Sequence, residues 1–143
     1  MNFIFISPNF PDIYSHFVKE LKALGVNVLG IGDTPYDNLN NELKENLTEY
    51  CYVSNMTNYE WMKNTVSYLA SKYGKIDFIE SNNEYWMRQD ARLRNDFGIE
   101  GGYREWDLDE YQAKSGMKKY FEKAGVKTAR YIMVSSFEES LKF

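Results

Sequence analysis

The sequence has few of the residues that build disulfides, metal clusters and nucleophilic centres. Its 143 residues include one cysteine, Cys51, and one histidine, His16. A single cysteine excludes an intrachain disulfide and a cysteine-cluster metal site. No group of possible ligands at metal-binding spacing accompanies His16, so we expect it to bind no metal. Cys51 lies in a short apolar run and is expected to be a buried apolar residue rather than a nucleophile.

The chain also lacks an excess of basic residues and any long apolar run. Its 17 Lys and Arg face 21 Asp and Glu, which gives a net charge of −4. Nucleic-acid-binding proteins concentrate basic residues to replace counterions at phosphates, so we expect no nucleic-acid partner. No run approaches the roughly 20 apolar residues that cross a bilayer. The start, MNFIFISPNF, has no basic segment of a signal peptide. We therefore expect no membrane partner and a cytoplasmic location.

Short apolar runs alternate with amphipathic stretches along most of the chain. The hydrophobic fraction of 43% and the charged fraction of 27% are typical of a globular protein. Four apolar runs have the length of strands: Phe3–Ile6, Val26–Ile31, Tyr50–Val53 and Ile76–Ile79. Four amphipathic stretches end at a glycine: Gly25, Gly74, Gly98 and Gly125. This alternation predicts the α/β class, with a Rossmann-like, mainly parallel sheet in a three-layer α/β/α arrangement.

Polar residues at possible helix starts refine this prediction. Thr57 with Glu60, and Asp107 with Glu110, have the spacing of capping boxes, so we expect helices to begin there. Ser136 with Glu139 has the same spacing close to the C-terminal end of the sequence. Residues 33–49 hold Pro35 and an Asn- and Glu-rich run, and are expected to form a loop with a short helix.

Polar loops follow the first and fourth predicted strands, where open α/β sheets bind ligands. Ser7 and Asn9 follow the first strand, and Glu80, Asn82 and Asn83 follow the fourth. Their carboxylate, amide and hydroxyl groups suit hydroxyls, amines or a substrate carboxylate, so these five residues are our candidate substrate-binding residues. The alternative is that a residue of the second loop only caps the next helix.

Motifs of better-known nucleotide sites are absent from the expected places. A dinucleotide fingerprint places glycines directly after the first strand, where this chain has Ser7-Pro8-Asn9. The pair Gly30 and Gly32 lies within or at the end of a strand instead of opening a helix. A phosphate-binding Walker loop is also missing. A receiver domain would need acidic residues where Ser7 to Asn9 stand.

The last thirty residues carry a pattern that resembles the entry into the nucleotide-binding part of ATP-grasp ligases. In that family a lysine precedes a Met-Lys-type helix, an Ala-Gly-Val turn, a strand, and then Ser/Thr and acidic residues. The matching positions here are Lys114, Met117-Lys118, Ala124-Gly125-Val126, Tyr131–Val134 and Ser135–Glu139. A preceding stretch, Ala91 to Arg94 followed by Phe97 to Gly101, is similar to the helix and turn ahead of that lysine.

The resemblance implies the N-terminal, pre-ATP-grasp domain of a carbamoyl-phosphate-synthase-like or biotin-carboxylase-like ligase over residues 1–126. Residues 127–143 would then begin an incomplete ATP-grasp domain. Such enzymes activate a small-molecule carboxylate with ATP and magnesium as an acyl phosphate, which an amine attacks. Lys114 matches the family's lysine that contacts ATP phosphates. We expect the second nucleotide lysine and the magnesium carboxylates to lie beyond residue 143.

These expectations make the chain by itself catalytically silent and without a tightly bound cofactor. The alternative is a stand-alone, non-enzymatic α/β module that binds a small ligand or a protein partner. Tyr131–Val134 is predicted to be a strand that either disorders with its surroundings or pairs between chains, so homo-oligomers are expected through it. Arg92 and Arg94 are expected to be surface charges, whereas Arg88 with Arg92 could form a small basic patch for an anion.

Overall fold

The computed structural model describes residues 1–143, in which strands and helices alternate over the first hundred residues. The strands are β1 (Asn2–Ile6), β2 (Asn27–Gly32), β3 (Glu49–Tyr52) and β4 (Phe78–Glu80). The helices are α1 (Tyr14–Ala23), α2 (Asn41–Asn46), α3 (Tyr59–Tyr73), α4 (Met87–Asp96), α5 (Leu108–Gln112), α6 (Lys114–Lys123) and α7 (Phe137–Lys142). Single 3₁₀ turns cover Tyr36–Asn38 and Glu105–Asp107. Every helix falls short of the length and apolar character that a membrane span requires.

The chain forms two compact units, Met1–Glu105 and Trp106–Phe143. The first unit contains all four strands and helices α1 to α4. The second unit contains helices α5, α6 and α7. The boundary that the family resemblance predicts after residue 126 stays a prediction.

The four strands form one parallel sheet in the order β3-β2-β1-β4. β1 is paired along its length with β2, from Asn2 opposite Asn27 to Ile6 opposite Ile31. Its other edge pairs with β4 at Phe3, Ile4 and Phe5. The predicted mainly parallel sheet is therefore confirmed, and β1 lies inside it.

Alternate residues of the strands bury two separate apolar clusters, one on each face of the sheet. The larger cluster packs α3 and α4 onto one face and contains Ile4, Ile6, Leu29, Ile31, Val53, Met56, Met62, Val66, Leu69, Ile76, Ile79, Leu93 and Ile99. The smaller cluster packs α1 and α2 onto the other face and contains Phe5, Val18, Val26, Val28, Leu39 and Leu43. The three-layer α/β/α arrangement is confirmed, because helices cover both faces.

Asparagine side chains cap the N-termini of two helices of the first unit. Asn40 Oδ1 accepts a hydrogen bond from Leu43 N at 2.8 Å and begins α2 within the region predicted to be a loop with a short helix. Asn58 Oδ1 accepts from Trp61 N at 3.3 Å and begins α3. The predicted cap, Thr57, instead donates its hydroxyl to Asn55 Oδ1 at 2.6 Å, so the helix begins one residue later than we expected.

The second unit has two helices where the sequence predicted one. Ala113 adopts an extended conformation, with ψ at 113°, between α5 and α6. The two helices approach each other closely at Gly116, where a Cβ atom would lie 2.4 Å from the carbonyl oxygen of Asp109. Asp107 also makes no side-chain capping bond to α5. The predicted single helix from Asp107 to Gly125 is therefore wrong, since the backbone turns at Ala113.

Tyr131–Val134, predicted to be a strand, has no regular secondary structure in the single chain, and its disorder or pairing between chains stays a prediction. A strand forms only when a neighbouring strand accepts and donates its backbone hydrogen bonds, and the second unit contains no other strand. The cap that follows is confirmed: Ser136 Oγ accepts from Glu139 N at 3.2 Å and begins α7. Met133, Val134, Phe137 and Leu141 all expose most of their side chains.

Removal of residues 129–143 should leave the sheet and both apolar clusters intact. None of these fifteen residues is buried, so we expect the free energy of unfolding to change by no more than about 1 kcal/mol. Urea denaturation of the full and shortened chains measures that change. Sedimentation at several concentrations should show weaker self-association of the shortened chain, because the exposed apolar side chains are lost. A destabilisation of several kcal/mol would contradict this interpretation of the segment.

Candidate functional site

The first unit contains a cavity at the point where the sheet topology reverses. β1 and β4 are adjacent and parallel, although α1 leads the chain from β1 to β2 on the opposite side. The loops that follow two such strands diverge and leave a crevice at their carboxyl ends. A cavity of about 520 Å³ lies there. We call it the switch-point cavity, and it is lined by Ser7, Asn9, Phe10, Asp33, Asn83, Tyr85 and Trp86.

The loop after β1 is held against β2 by hydrogen bonds of its backbone and side chains. Ser7 has a positive φ of 55°, is buried, and donates its N–H to Ile31 O at 2.7 Å. Asn9 donates Nδ2 to Thr34 Oγ1 at 2.9 Å. Asn9 Oδ1 is buried and accepts no hydrogen bond from the protein. Because an unpaired buried acceptor costs free energy, this oxygen is a group that a donor on a ligand would satisfy.

The loop after β4 turns sharply before α4 begins. Asn83 Oδ1 accepts from Tyr85 N at 2.9 Å, and its carbonyl accepts from Trp86 N at 3.1 Å. Asn83 also donates its backbone N–H to Ser81 Oγ at 3.2 Å. The Asn83 side chain therefore stabilises the turn that leads into α4, and the same residue lines the cavity.

The structure brings three of the five candidate residues to the cavity and places two elsewhere. Ser7, Asn9 and Asn83 line it, whereas Glu80 and Asn82 do not. Asn82 has a positive φ of 53°, and its carbonyl accepts a hydrogen bond from the Tyr14 hydroxyl. Glu80 Oε1 accepts from the backbone N–H groups of Ser81 and Asn82, at 3.2 and 3.3 Å. The two loops predicted from the sequence both line the cavity, but the Glu80 side chain bonds to the backbone of its own loop.

Arg94 is the centre of a buried polar network next to the loop after β4. Its side chain is 3% exposed, so the prediction of a surface charge is wrong for this residue. The guanidinium donates to Glu80 Oε2 at 2.6 Å, to Ile79 O at 2.8 Å and to Tyr103 O at 3.1 Å. It occupies the space that a Cβ at Gly102 would need, 2.7 Å from Cζ, which explains why the left-handed φ of 71° is filled by glycine. One buried cation thus ties β4 to the segment after α4.

Asp90 is a fully buried carboxylate one turn before Arg94 on α4. Asp90 Oδ2 accepts from Ser81 Oγ at 2.5 Å and from Ser81 N at 3.0 Å, while Oδ1 has no partner in the protein. Burial raises the pKa of Asp90 to about 7; the Glu80 charge adds to the rise, and the Ser81 bonds and Arg94 oppose it. Asp90 therefore gains or loses its proton near neutral pH. Its partner Ser81 belongs to the same loop as Asn83.

The cavity lining sets the chemistry that it can accept. Asp33 supplies the one acidic side chain of the lining, and no lysine or arginine is present there. Asn9 Oδ1 adds a second acceptor. Phe10, Tyr85 and Trp86 supply apolar ring surface. This lining suits a small molecule that presents an ammonium or hydroxyl group to the acceptors and an apolar part to the rings.

Sequence reasoning did not identify the three aromatic residues as site residues. Phe10 lies one residue beyond a polar loop that was identified, and Tyr85 and Trp86 immediately follow the other. Their position next to both loops was the available signal. Asp33 belongs to the loop after β2, which meets the loop after β1 because those strands pair.

Cys51 and Lys114 lie outside the lining of the switch-point cavity. Cys51 is half-buried against the larger cluster, and burial raises the pKa of its thiol to about 11, so it stays protonated at neutral pH. Lys114 is the first residue of α6 in the second unit, is exposed, and makes no hydrogen bond or ion pair. Its predicted role at ATP phosphates stays a prediction.

Replacement of Asp90 by asparagine should remove a pH dependence of stability. The folded pKa of about 7 lies above the ordinary value of 3.8, so the folded state binds the extra proton between these values. The stability of the native sequence should therefore fall as the pH rises from about 4 to 7, by up to about 4 kcal/mol. The asparagine side chain stays neutral and can still accept from Ser81, so D90N should be as stable as the native chain at low pH and more stable above pH 7.

Urea denaturation across pH measures this difference. The exposed Asp37 provides a matched control, because D37N removes one carboxylate away from the network and should keep the native slope. A D90N variant that unfolds more easily than the native chain at pH 8 would contradict the assignment.

Comparison with known proteins gives matches to solved structures only. No protein-family model matches the chain, and no curated protein matches it. The crystal structure of L-amino acid ligase from Bacillus licheniformis matches with a TM-score of 0.73 at 12% identity, over 96% of this chain and 34% of that one. The biotin carboxylase domain of a single-chain bacterial carboxylase matches with a TM-score of 0.70 at 14% identity, over 99% of this chain and 33% of that one. The chain thus spans about a third of each, and it has their fold over nearly its whole length. The fold expected from the ATP-grasp resemblance is confirmed.

Proposed function

We propose that this chain is the N-terminal domain of an ATP-grasp carboxylate–amine ligase. The observation that carries the proposal is the extent of the structural match. Nearly all of this chain superimposes on about a third of a ligase and of a biotin carboxylase domain. The lysine, Ala-Gly-Val and Ser/Glu pattern from Lys114 to Glu139 resembles the same family and is independent of the fold comparison.

The parent reaction would proceed in two balanced steps. A substrate carboxylate oxygen attacks the terminal phosphorus of ATP, which releases ADP and forms an acyl phosphate. An amine then attacks the acyl carbon and gives up one proton, and inorganic phosphate leaves with the electrons of the broken C–O bond. Magnesium, when bound with ATP, supplies charge neutralisation at the phosphates. No three His, Cys, Asp or Glu side chains of residues 1–143 are grouped closely enough to hold a metal, so we assign no magnesium ligand to this chain.

The contribution of this chain would be to bind and orient. The switch-point cavity would hold the amine- or hydroxyl-bearing part of a substrate, with Asp33 and Asn9 as acceptors and the aromatic rings against its apolar part. Lys114 would add a cation near the nucleotide phosphates, since it is exposed and makes no ion pair in the chain. Catalytic groups would come from the rest of the parent, so this chain alone would be silent.

The location of the switch-point cavity supports a second candidate function. Every residue that lines the switch-point cavity belongs to the first unit, so the cavity needs no other domain. This favours a stand-alone, non-enzymatic module that binds a small ligand as the alternative. The two functions differ in the length of the native protein and in whether it consumes ATP.

The 143-residue chain should bind Mg-ATP weakly or not at all. A lone exposed lysine supplies one charge-assisted contact, which contributes little when it faces water. Isothermal calorimetry of the native sequence and of K114Q measures the binding. Similar, weak heats from both are the expected result. Tight binding that disappears in K114Q would show that the chain contains a complete nucleotide site, against the proposal.

The native protein should be longer than this chain and should release ADP when a carboxylate and an amine are supplied. Intact mass of the protein from its source cells tests the length, and a coupled ADP assay over a panel of amino-bearing acids tests the reaction. In that protein, D33N should raise the KM of the substrate in the cavity about tenfold, since a charged hydrogen bond of about 1.5 kcal/mol or more is lost. The KM for ATP should not change.

The exposed Asp37 again supplies the control, because D37N should leave both KM values as they are. A native protein of this length that binds a small amine without ATP turnover would support the module. An equal rise in both KM values in D33N would contradict the placement of the substrate.

A further inference from the structure

A second cavity of about 280 Å³ lies beside the beginnings of α3 and α4 in the first unit. We call it the arginine cavity. Its walls include Arg88, Arg92, Gln89 and Glu105, together with the rings of Tyr59 and Trp86. It shares only aromatic residues with the switch-point cavity, and its charged groups are mostly of the opposite sign.

Arg92 is oriented by an aromatic ring before any ligand is present. Its guanidinium carbon lies 3.6 Å from the centre of the Tyr59 ring, so the planar group rests on the ring face. The Tyr59 hydroxyl donates to Asp96 Oδ2 at 2.9 Å, and Lys63 Nζ lies 2.7 Å from the same oxygen. These bonds fix the ring. The Arg92 side chain makes no hydrogen bond or ion pair within the chain, so its guanidinium donors remain available.

Two other side chains add donors to the cavity. Arg88 lies one helical turn before Arg92, on the same side of α4. Gln89 Nε2 is buried and has no acceptor in the protein. A buried amide without an acceptor costs free energy that an oxygen from a ligand would recover. Three donor side chains therefore line one small space.

The electrostatics of the cavity favour an anion. The lining contains two guanidinium groups and one carboxylate, Glu105, so its formal net charge is positive. The other acidic group near Arg92, Asp96, is already paired with Lys63. Arg88 and Gln89 also belong to the first turn of α4, where the helix dipole adds positive potential. Guanidinium groups match the planar or tetrahedral oxygens of carboxylates and phosphates with paired hydrogen bonds.

We propose that the arginine cavity binds the carboxylate or phosphate group of a small molecule, with Arg92, Arg88 and the Gln89 amide as donors. The rings of Tyr59 and Trp86 form the apolar side of the site. The inference does not depend on the proposed ligase function, since all of these residues lie in the first unit and outside the pattern from Lys114 to Glu139.

The indole N–H resonance of Trp86 provides a direct probe of this cavity. The chain has three tryptophans, so an ¹H–¹⁵N spectrum has three indole signals, and W86F identifies the one that matters. Inorganic phosphate and sodium acetate are titrated separately, each against sodium chloride at equal ionic strength. We expect a saturable shift of the Trp86 signal with at least one of the two anions and no saturable shift with chloride. The anion that binds more tightly identifies phosphate or carboxylate as the preferred group.

Arginine variants connect the shift to the cavity. R92Q and R88Q should each weaken binding at least tenfold, since a charged donor is lost. R130Q is the matched control, because Arg130 is an exposed arginine of the second unit, and it should bind like the native chain. Both cavity arginines are exposed, so folding should persist, and circular dichroism checks that. No saturable shift with either anion, or one that R92Q leaves unchanged, would overturn the proposal.

Discussion

The pairing of β1 on both of its edges is the constraint on which the rest of the first unit depends. β2 and β4 pair with the two edges of β1. The helix α1 between β1 and β2 and the helix α3 between β3 and β4 therefore lie on opposite faces of the sheet. The same pairing separates the loops that follow β1 and β4, and the switch-point cavity is the space between them. The site is therefore a result of topology first, and side chains then give it chemical character.

The buried polar network keeps that topology in register at β4. β4 is only three residues long and pairs with one neighbour, so its backbone bonds alone hold it weakly. Arg94 reaches from α4 to the carbonyl of Ile79 and the carboxylate of Glu80, and Asp90 holds Ser81. Loss of one partner from such a pair leaves a buried charge without compensation. The edge strand and the loop after it are thus fixed by a helix rather than by a fifth strand.

The sequence predicted the parts of the fold that depend on local patterns. Apolar runs identified all four strands of the sheet. β1 and β2 are buried along nearly their whole length, so their sequences need no polar alternation. Tyr131–Val134 has an equally strong apolar pattern but forms no strand, since pairing requires a second strand that no local pattern reports. The burial of Arg94 was missed for a related reason. Its acceptors on Ile79, Glu80 and Tyr103 lie 9 to 15 residues away along the chain and meet it only after folding. Loop positions were predictable from strand ends, whereas the choice between lining a cavity and capping a turn depends on backbone conformation, as Glu80 and Asn82 show.

Tyr85 and Trp86 line both cavities, and their rings meet edge to face with centroids 4.7 Å apart. A displacement of either ring by a molecule on one side alters the wall that faces the other side. Thermodynamic linkage then requires the effect to be reciprocal: whatever one occupant does to the affinity for the second, the second does equally to the first. If each cavity binds a ligand, the shared pair of rings is the part of the unit Met1–Glu105 through which the two binding events would affect each other.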